Sequence, residues 1–330
     1  MSIGFHARIL FALGVVAGGA LLCDGRDMAA FAAAGVKAAP WLGEGHYPSE
    51  NRIWRRQARL AAGVAERYGT RLGLEVSIIP AGAGGDERVA KAKLEHLRDT
   101  ALGNRANGEA SGKIAHMIEG ARKAANAGSS EDEPGGSSEF AYLGSGRSAC
   151  VIRLTAKSTS VQDALASAFS LKAVGELTVD ASKSRIGAAD LAFWVSAHES
   201  AHCLFGSARR MNLIDTAWSG RYKAPRSWGD SQSAGDLDDA VLARTEEIAA
   251  DLMAAGWARQ ALGQQKAGRL IQLVQRGRRL GSRYDQDDLH DSSTALSDQA
   301  LNDQANGRNL MFAVWSLARS DTLRVLGGGA

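Results

Sequence analysis

Cysteine is scarce in this chain: Cys23, Cys150 and Cys203 are the only three in 330 residues. So few exclude a disulfide-dense scaffold, and no Cys-rich zinc cluster of the nucleic-acid-binding kind is present. Charge of one sign is also lacking. Lysine and arginine number 39 against 36 acidic residues, a formal balance of +3. That balance gives no electrostatic reason for a nucleic-acid or anionic-membrane partner, and no nucleic acid is expected. The basic clusters Arg55-Arg56 and Arg276-Gly277-Arg278-Arg279 read as solvated helix faces or ends. Proline is rare, with five residues, whereas glycine reaches 38 and falls largely between apparent elements as turns and helix stops. No P-loop, dinucleotide fingerprint or Ser-His-Asp pattern occurs.

Long apolar runs are lacking too. Residues 9–23 are a largely apolar run of fifteen, short of the roughly 20 a membrane span needs. The basic flank at Arg8 and the small residues Gly18, Gly19 and Ala20 suit a secretory signal peptide, cleaved after Ala20 or within 29–39. The expectation is export to the periplasm or beyond. Alternatives are a membrane anchor formed by residues 9–23, with transient membrane association, or a cytoplasmic chain with a buried N-terminal helix. Loss of a leader beyond Cys23 would leave Cys150 and Cys203, either paired in an oxidising compartment or buried as separate thiols.

What is present reads as an α+β chain, predominantly helical, with a small sheet before its most informative helix. Residues 24–127 form a mostly helical region, with helices expected at 49–68, 86–102 and 110–127. A short strand is expected at 74–79, where Leu74, Val76 and Ile78 alternate with other residues. His46, His96 and His116 in this region read as structural or surface side chains. The polar, acidic segment 128–138 reads as a flexible linker, or as a loop inside one domain. Residues 139–330 then form the second domain. Strands are expected at 149–155 and 171–180, with a short helix at 161–169 between them. Strands in that position would offer an open edge to which an extended peptide could add.

Residues 187–205 read as a helix stopped near Gly206. It carries His198-Glu199-x-x-His202. One helical turn separates the imidazoles, so both lie on one side and can share a zinc ion. Glu199 beside them can act on water as a general base. Leu191, Val195 and Phe205 continue the same stripe, with Trp194 beside it. Cys203 points about 100° away from His202 and is a poor ligand beside it.

A helix expected at 237–257 carries Glu246, Glu247 and Asp251. Glu247 can complete a His-His-Glu set that leaves a fourth position open. Asp251, one turn on, can accept a hydrogen bond from the outer nitrogen of a ligating histidine and so fix its tautomer. Glu246 is a competing ligand, but no acid follows it four positions later. Val241, Ile248 and Leu252 form the adjacent packing face, and Ala249 and Ala250 permit close helix contact. The bland readings are two polar core histidines partnered by Glu199, and a solvated acidic face.

The two motifs together, His198-Glu199-x-x-His202 and Glu247-x-x-x-Asp251, resemble the thermolysin-like, or gluzincin, class of zinc metallopeptidases over residues 190–256. The resemblance implies a zincin-like fold in which His198, His202 and Glu247 bind Zn2+, Glu199 is the general base and Asp251 orients a ligand. It implies hydrolysis of peptide bonds in a peptide or protein substrate. The class often places a downstream His or Tyr to stabilise the oxyanion. His290 and Tyr222 are the candidates carried forward, with Tyr284 and Arg221 as further possibilities, each against an ordinary surface role. Competing functions are a catalytically inactive zincin-like binding or assembly module, and a metal-dependent hydrolase of a non-peptide amide. Helices at 258–280 and 309–326, separated by a polar loop over 281–291, complete the expected core.

Overall fold

The computed structural model describes residues 74–81, 136–144, 147–155, 160–169, 171–214, 234–285, 291–297 and 310–325. The N-terminal segment 1–23 and the helices expected at 49–68, 86–102 and 110–127 lie outside them. The described residues are mostly helical and carry one three-stranded sheet.

That sheet is built from β1 (Leu74–Ala81), β2 (Gly136–Gly144) and β3 (Arg147–Thr155), in the order β1-β3-β2. β1 runs parallel to β3, with Leu74 opposite Ser148, and β2 runs antiparallel to it, with Phe140 opposite Cys150. The expected strand at 149–155 is therefore the middle strand, and the edges among the described residues are β1 and β2. Gly136–Ser138, the end of the expected linker, are strand instead. Their backbone pairs with Ile152–Leu154 of β3, so polar composition alone does not keep them out of a ladder. Cys150 and Ile152, two apart, are both fully buried, as the two-residue repeat of a strand with one covered face requires.

A short helix α1 (Val161–Ala168) follows, capped by Ser160, whose Oγ accepts the Asp163 amide at 3.0 Å. The strand expected over 171–180 does not form. Leu171–Ala173 is a 3-10 turn leading into α2 (Val174–Ser184). The alternation of Leu177 and Val179 misled: Leu177 is buried while Val179 is 52% exposed, and Val174, Leu177 and Ala181 recur at helical spacing on the buried side.

α3 (Ala188–Arg210) is the central element. At its start the Gly187 amide donates to Asp190 Oδ2 at 3.0 Å, and Asp190 pairs with Lys266 at 2.7 Å. Every residue from Asp190 to Ala201 is buried, so this helix is a core element on all sides. It does not stop at Gly206. A glycine costs a helix only about 1 kcal/mol, and a buried Gly206 is followed by further good helix formers. The stop comes at Asn212, whose φ of 53° is a left-handed conformation that Asn tolerates.

α4 (Ala234–Leu262) packs directly on α3. Ala197 and Ala201 on one helix and Ala249, Ala250 and Ala254 on the other are fully buried, and such small side chains let backbones approach closely. α4 runs through the fully buried Trp257 and breaks at Gly263, where φ is +78°. α5 (Gln264–Asp285) extends into the expected 281–291 loop, α6 (Ser293–Ser297) is one short turn, and α7 (Leu310–Val325) lies on α4. Arg244, 3% exposed, joins these last parts: it reaches Asp321 on α7 at 3.4 Å and the Asp291 carbonyl at 3.1 Å.

One covalent tie crosses the layers. Cys150 of β3 and Cys203 of α3 form a disulfide, so the sheet is fastened to the helix residue next to His202.

Candidate metal centre

The site forms where α3 faces α4. His198 and His202, one turn apart on α3, turn their Nε2 atoms toward each other at 3.0 Å. Glu247 of α4 closes the triangle, with Oε2 at 3.2 Å from His198 Nε2 and Oε1 at 3.4 Å from His202 Nε2. Together they could hold a metal ion, since their ligand atoms all lie within 4.8 Å of one another.

The outer nitrogens decide what these rings can offer. His198 Nδ1 lies 2.8 Å from Asp251 Oδ1, and His202 Nδ1 lies 3.3 Å from Glu246 Oε1. A carboxylate can only accept, so each Nδ1 is the donor and carries the ring proton. In the neutral rings both Nε2 atoms then present lone pairs to each other and to Glu247. Only a proton or a cation can reconcile three converging acceptors. Formally, Glu199, Glu246, Glu247 and Asp251 surround the rings against Arg209 and Arg278, a surplus of two negative charges. A divalent cation fits that donor set and that charge.

The titration tendencies run the same way. Burial by itself disfavours a charged His198, but the Asp251 carboxylate and then Glu247 outweigh it and raise the pKa to about 9. Burial likewise opposes charge on His202, and Glu247 with Glu246 reverses this to hold its pKa well above the usual 6.5. Glu247 is held well below the usual carboxylate range, its own burial being overcome by His202 and His198. The carboxylates demand positive charge at the imidazoles.

Asp251 is the hub behind His198. It is 1% exposed and its two oxygens accept from Trp194 Nε1 at 3.2 Å, Arg278 Nε at 2.8 Å, Arg278 Nη2 at 3.0 Å and Ser292 Oγ at 2.6 Å, besides His198. Burial would raise its pKa, yet Arg278 and His198 hold it far below the usual range. Arg278 is itself placed by packing: its guanidinium carbon lies 5.8 Å from the Phe169 ring centre. That ring lies so close over the neighbouring Gly277 that a Cβ there would come within 2.6 Å of it.

Glu199 sits on α3 beside His198, 9% exposed, and among the described residues its carboxylate has no hydrogen-bond or ion-pair partner. His290 and Tyr222 lie outside the described residues, as does Arg221. Tyr284 falls within α5.

Four residues of the site were missed from sequence. Arg278 was placed on a solvated cluster, yet it lies four residues after Val274 and eight after Leu270, both fully buried, on the inner stripe of α5. Arg209 lies beyond the helix stop expected near Gly206, but α3 continues and sets it seven residues from His202 on the same side. Trp194, four residues before His198, had the same helical signal, though only its apolar bulk was read. Ser292 gave no signal. No protein-family model matches the chain, and neither does any curated protein or solved structure.

Proposed function

We propose that this chain is a zinc-dependent peptidase built on an α+β, zincin-like domain, with His198, His202 and Glu247 as ligands and Glu199 as general base. The observation that carries this reading is the convergence of three lone-pair donors from two packed helices, with the buried Glu199 carboxylate on the residue adjoining His198. Zinc favours N and O donors in a three-ligand set with one open position, where it polarises a carbonyl and lowers the pKa of water.

The chain's own residues then have defined tasks. The Asp251 carboxylate keeps the His198 ring in the tautomer that exposes Nε2. Glu199 removes a proton from the attacking water as the new C–O bond forms at the scissile carbonyl. It delivers that proton to the amide nitrogen as the C–N bond breaks, so the amine leaves neutral and the acid product is released. β2, an edge among the described residues, packs against α3 and offers main-chain groups to an extended substrate. A disulfide between Cys150 and Cys203 suits an oxidising compartment and supports the reading of residues 1–23 as an export signal. Among the described residues no helix is long and apolar enough to cross a membrane.

The test is a mixed peptide library incubated with the zinc-loaded protein, with and without a chelator, and cleavage products read by mass spectrometry. Chelator-sensitive cleavage of peptide bonds is expected. A zinc-loaded protein that cleaves no peptide, or cleaves only non-peptide amides, contradicts the proposal.

A further inference from the structure

Behind each imidazole stands a carboxylate, and behind each carboxylate an arginine. On one side the chain is His198, Asp251, Arg278. On the other it is His202, Glu246, Arg209: Glu246 Oε1 faces His202 Nδ1 at 3.3 Å while its Oε2 accepts from Arg209 Nη1 at 3.0 Å. We propose that Glu246, anchored by Arg209, is the positioning residue of His202, the counterpart of Asp251 behind His198. The inference rests on the reading of His198, His202 and Glu247 as a metal site.

Two simpler roles for Glu246 fail on geometry. It is no ligand for the same ion, because it meets the outer nitrogen of His202, whereas Nε2 points to His198 and Glu247. Nor is it only half of a surface ion pair between α3 and α4. An ordinary Arg–Glu pair engages nothing else, but here the second oxygen is committed to a ring whose far nitrogen lies in the donor triangle. Consecutive residues on a helix diverge by about 100°, which is how Glu246 and Glu247 can serve opposite ends of one imidazole. Arg209 takes one oxygen of Glu246 and leaves the other for the ring.

The two supports differ in depth. Asp251 and Arg278 have side chains 1% and 15% exposed, Glu246 and Arg209 17% and 35%. Water competes with the outer pair, so its removal should weaken the metal less than removal of the inner one.

The test uses the full chain and zinc alone, with affinity measured by competition against a chromophoric chelator, and the visible spectrum of the cobalt-loaded protein as a second readout. Glu246→Ala should weaken zinc about tenfold, at the low end of the 10–100-fold range for removal of such orienting partners, and alter the cobalt bands. Arg209→Ala should weaken it by a smaller factor and Arg209→Lys should restore most of the loss. Glu246→Gln, which keeps an acceptor oxygen, should fall between wild type and Glu246→Ala, and it covers the case in which alanine disturbs folding. A merely structural ion pair would lower thermal stability and leave affinity and cobalt bands unmoved in the folded variants. That result overturns the inference while leaving the metal site intact. A wild-type chain that binds no zinc overturns instead the site reading beneath it.

Discussion

His198 Nδ1 lies 2.8 Å from Oδ1 of Asp251, a residue 53 positions later on the neighbouring helix. This contact joins the H-E-x-x-H helix to a buried carboxylate that also holds Arg278, Trp194 and Ser292. Loss of Asp251 is therefore expected to act on the proposed metal site and on the fold together. Asp251→Ala should weaken zinc about 10–100-fold. It also leaves Arg278 without its carboxylate, a situation that costs about 3–5 kcal/mol when the pair is buried. Chelator competition and a denaturant titration of the metal-free protein check the two effects separately.

The proposed site gives the sequence neighbours Glu247 and Glu246 different roles, and substitution should separate them. Glu247→Ala should abolish stoichiometric zinc, because it removes one of the three proposed ligands. Glu246→Ala should still bind about one zinc per chain, only less tightly. Metal content after gel filtration at low free zinc distinguishes them; equal zinc loss in both would contradict the assignment of roles.

Metal binding should expel protons. Burial lowers the His198 pKa, but Asp251 and then Glu247 raise it to about 9 in the metal-free protein. Below that pH the ring carries a proton that a cation must displace, so zinc affinity rises with pH up to about 9. The sign for stability follows from the same shift. A raised folded-state pKa stabilises the metal-free protein fully below the unfolded value of 6.5 and is lost as pH climbs through about 9. Calorimetry in buffers of different ionisation enthalpy should show net proton release on zinc binding at neutral pH, and none would contradict the raised His198 pKa.

The Cys150–Cys203 bridge closes a separation of 53 residues between sheet and site helix. Replacing both cysteines by serine should cost about 2–4 kcal/mol, chiefly by freeing the unfolded chain. The denaturant midpoint of the double variant against wild type measures it. An unchanged midpoint would contradict the bridge.

The site was more legible than the fold. The spacing of His198 and His202, and of Glu247 and Asp251, follows from helical periodicity alone, and those side chains do meet. The helix–helix approach that brings them together was foreshadowed by Ala249 and Ala250. Alternation was a poorer guide: Leu177 and Val179 mimic a strand, but α2 is held by Val174, Leu177 and Ala181 on a buried face. Gly206 resembled a stop because glycine's local penalty is visible in sequence, whereas the packing that outweighs it is not. Arg278 and Ser292 were hidden for a related reason. A buried arginine or serine is recognisable only once its distant acceptor is known, and Asp251 reaches across 27 and 41 residues to find them.

The proposed hydrolysis depends most directly on Glu199. It is buried beside His198 and contacts none of the three ligand atoms through a hydrogen bond or ion pair among the described residues. The most direct measurement is peptide cleavage by Glu199→Gln set against its bound zinc. The account predicts about one zinc per chain, as in wild type, with hydrolysis lowered by roughly 10²–10⁴-fold, the contribution of a positioned general base. Full hydrolysis by a zinc-loaded Glu199→Gln chain would contradict it.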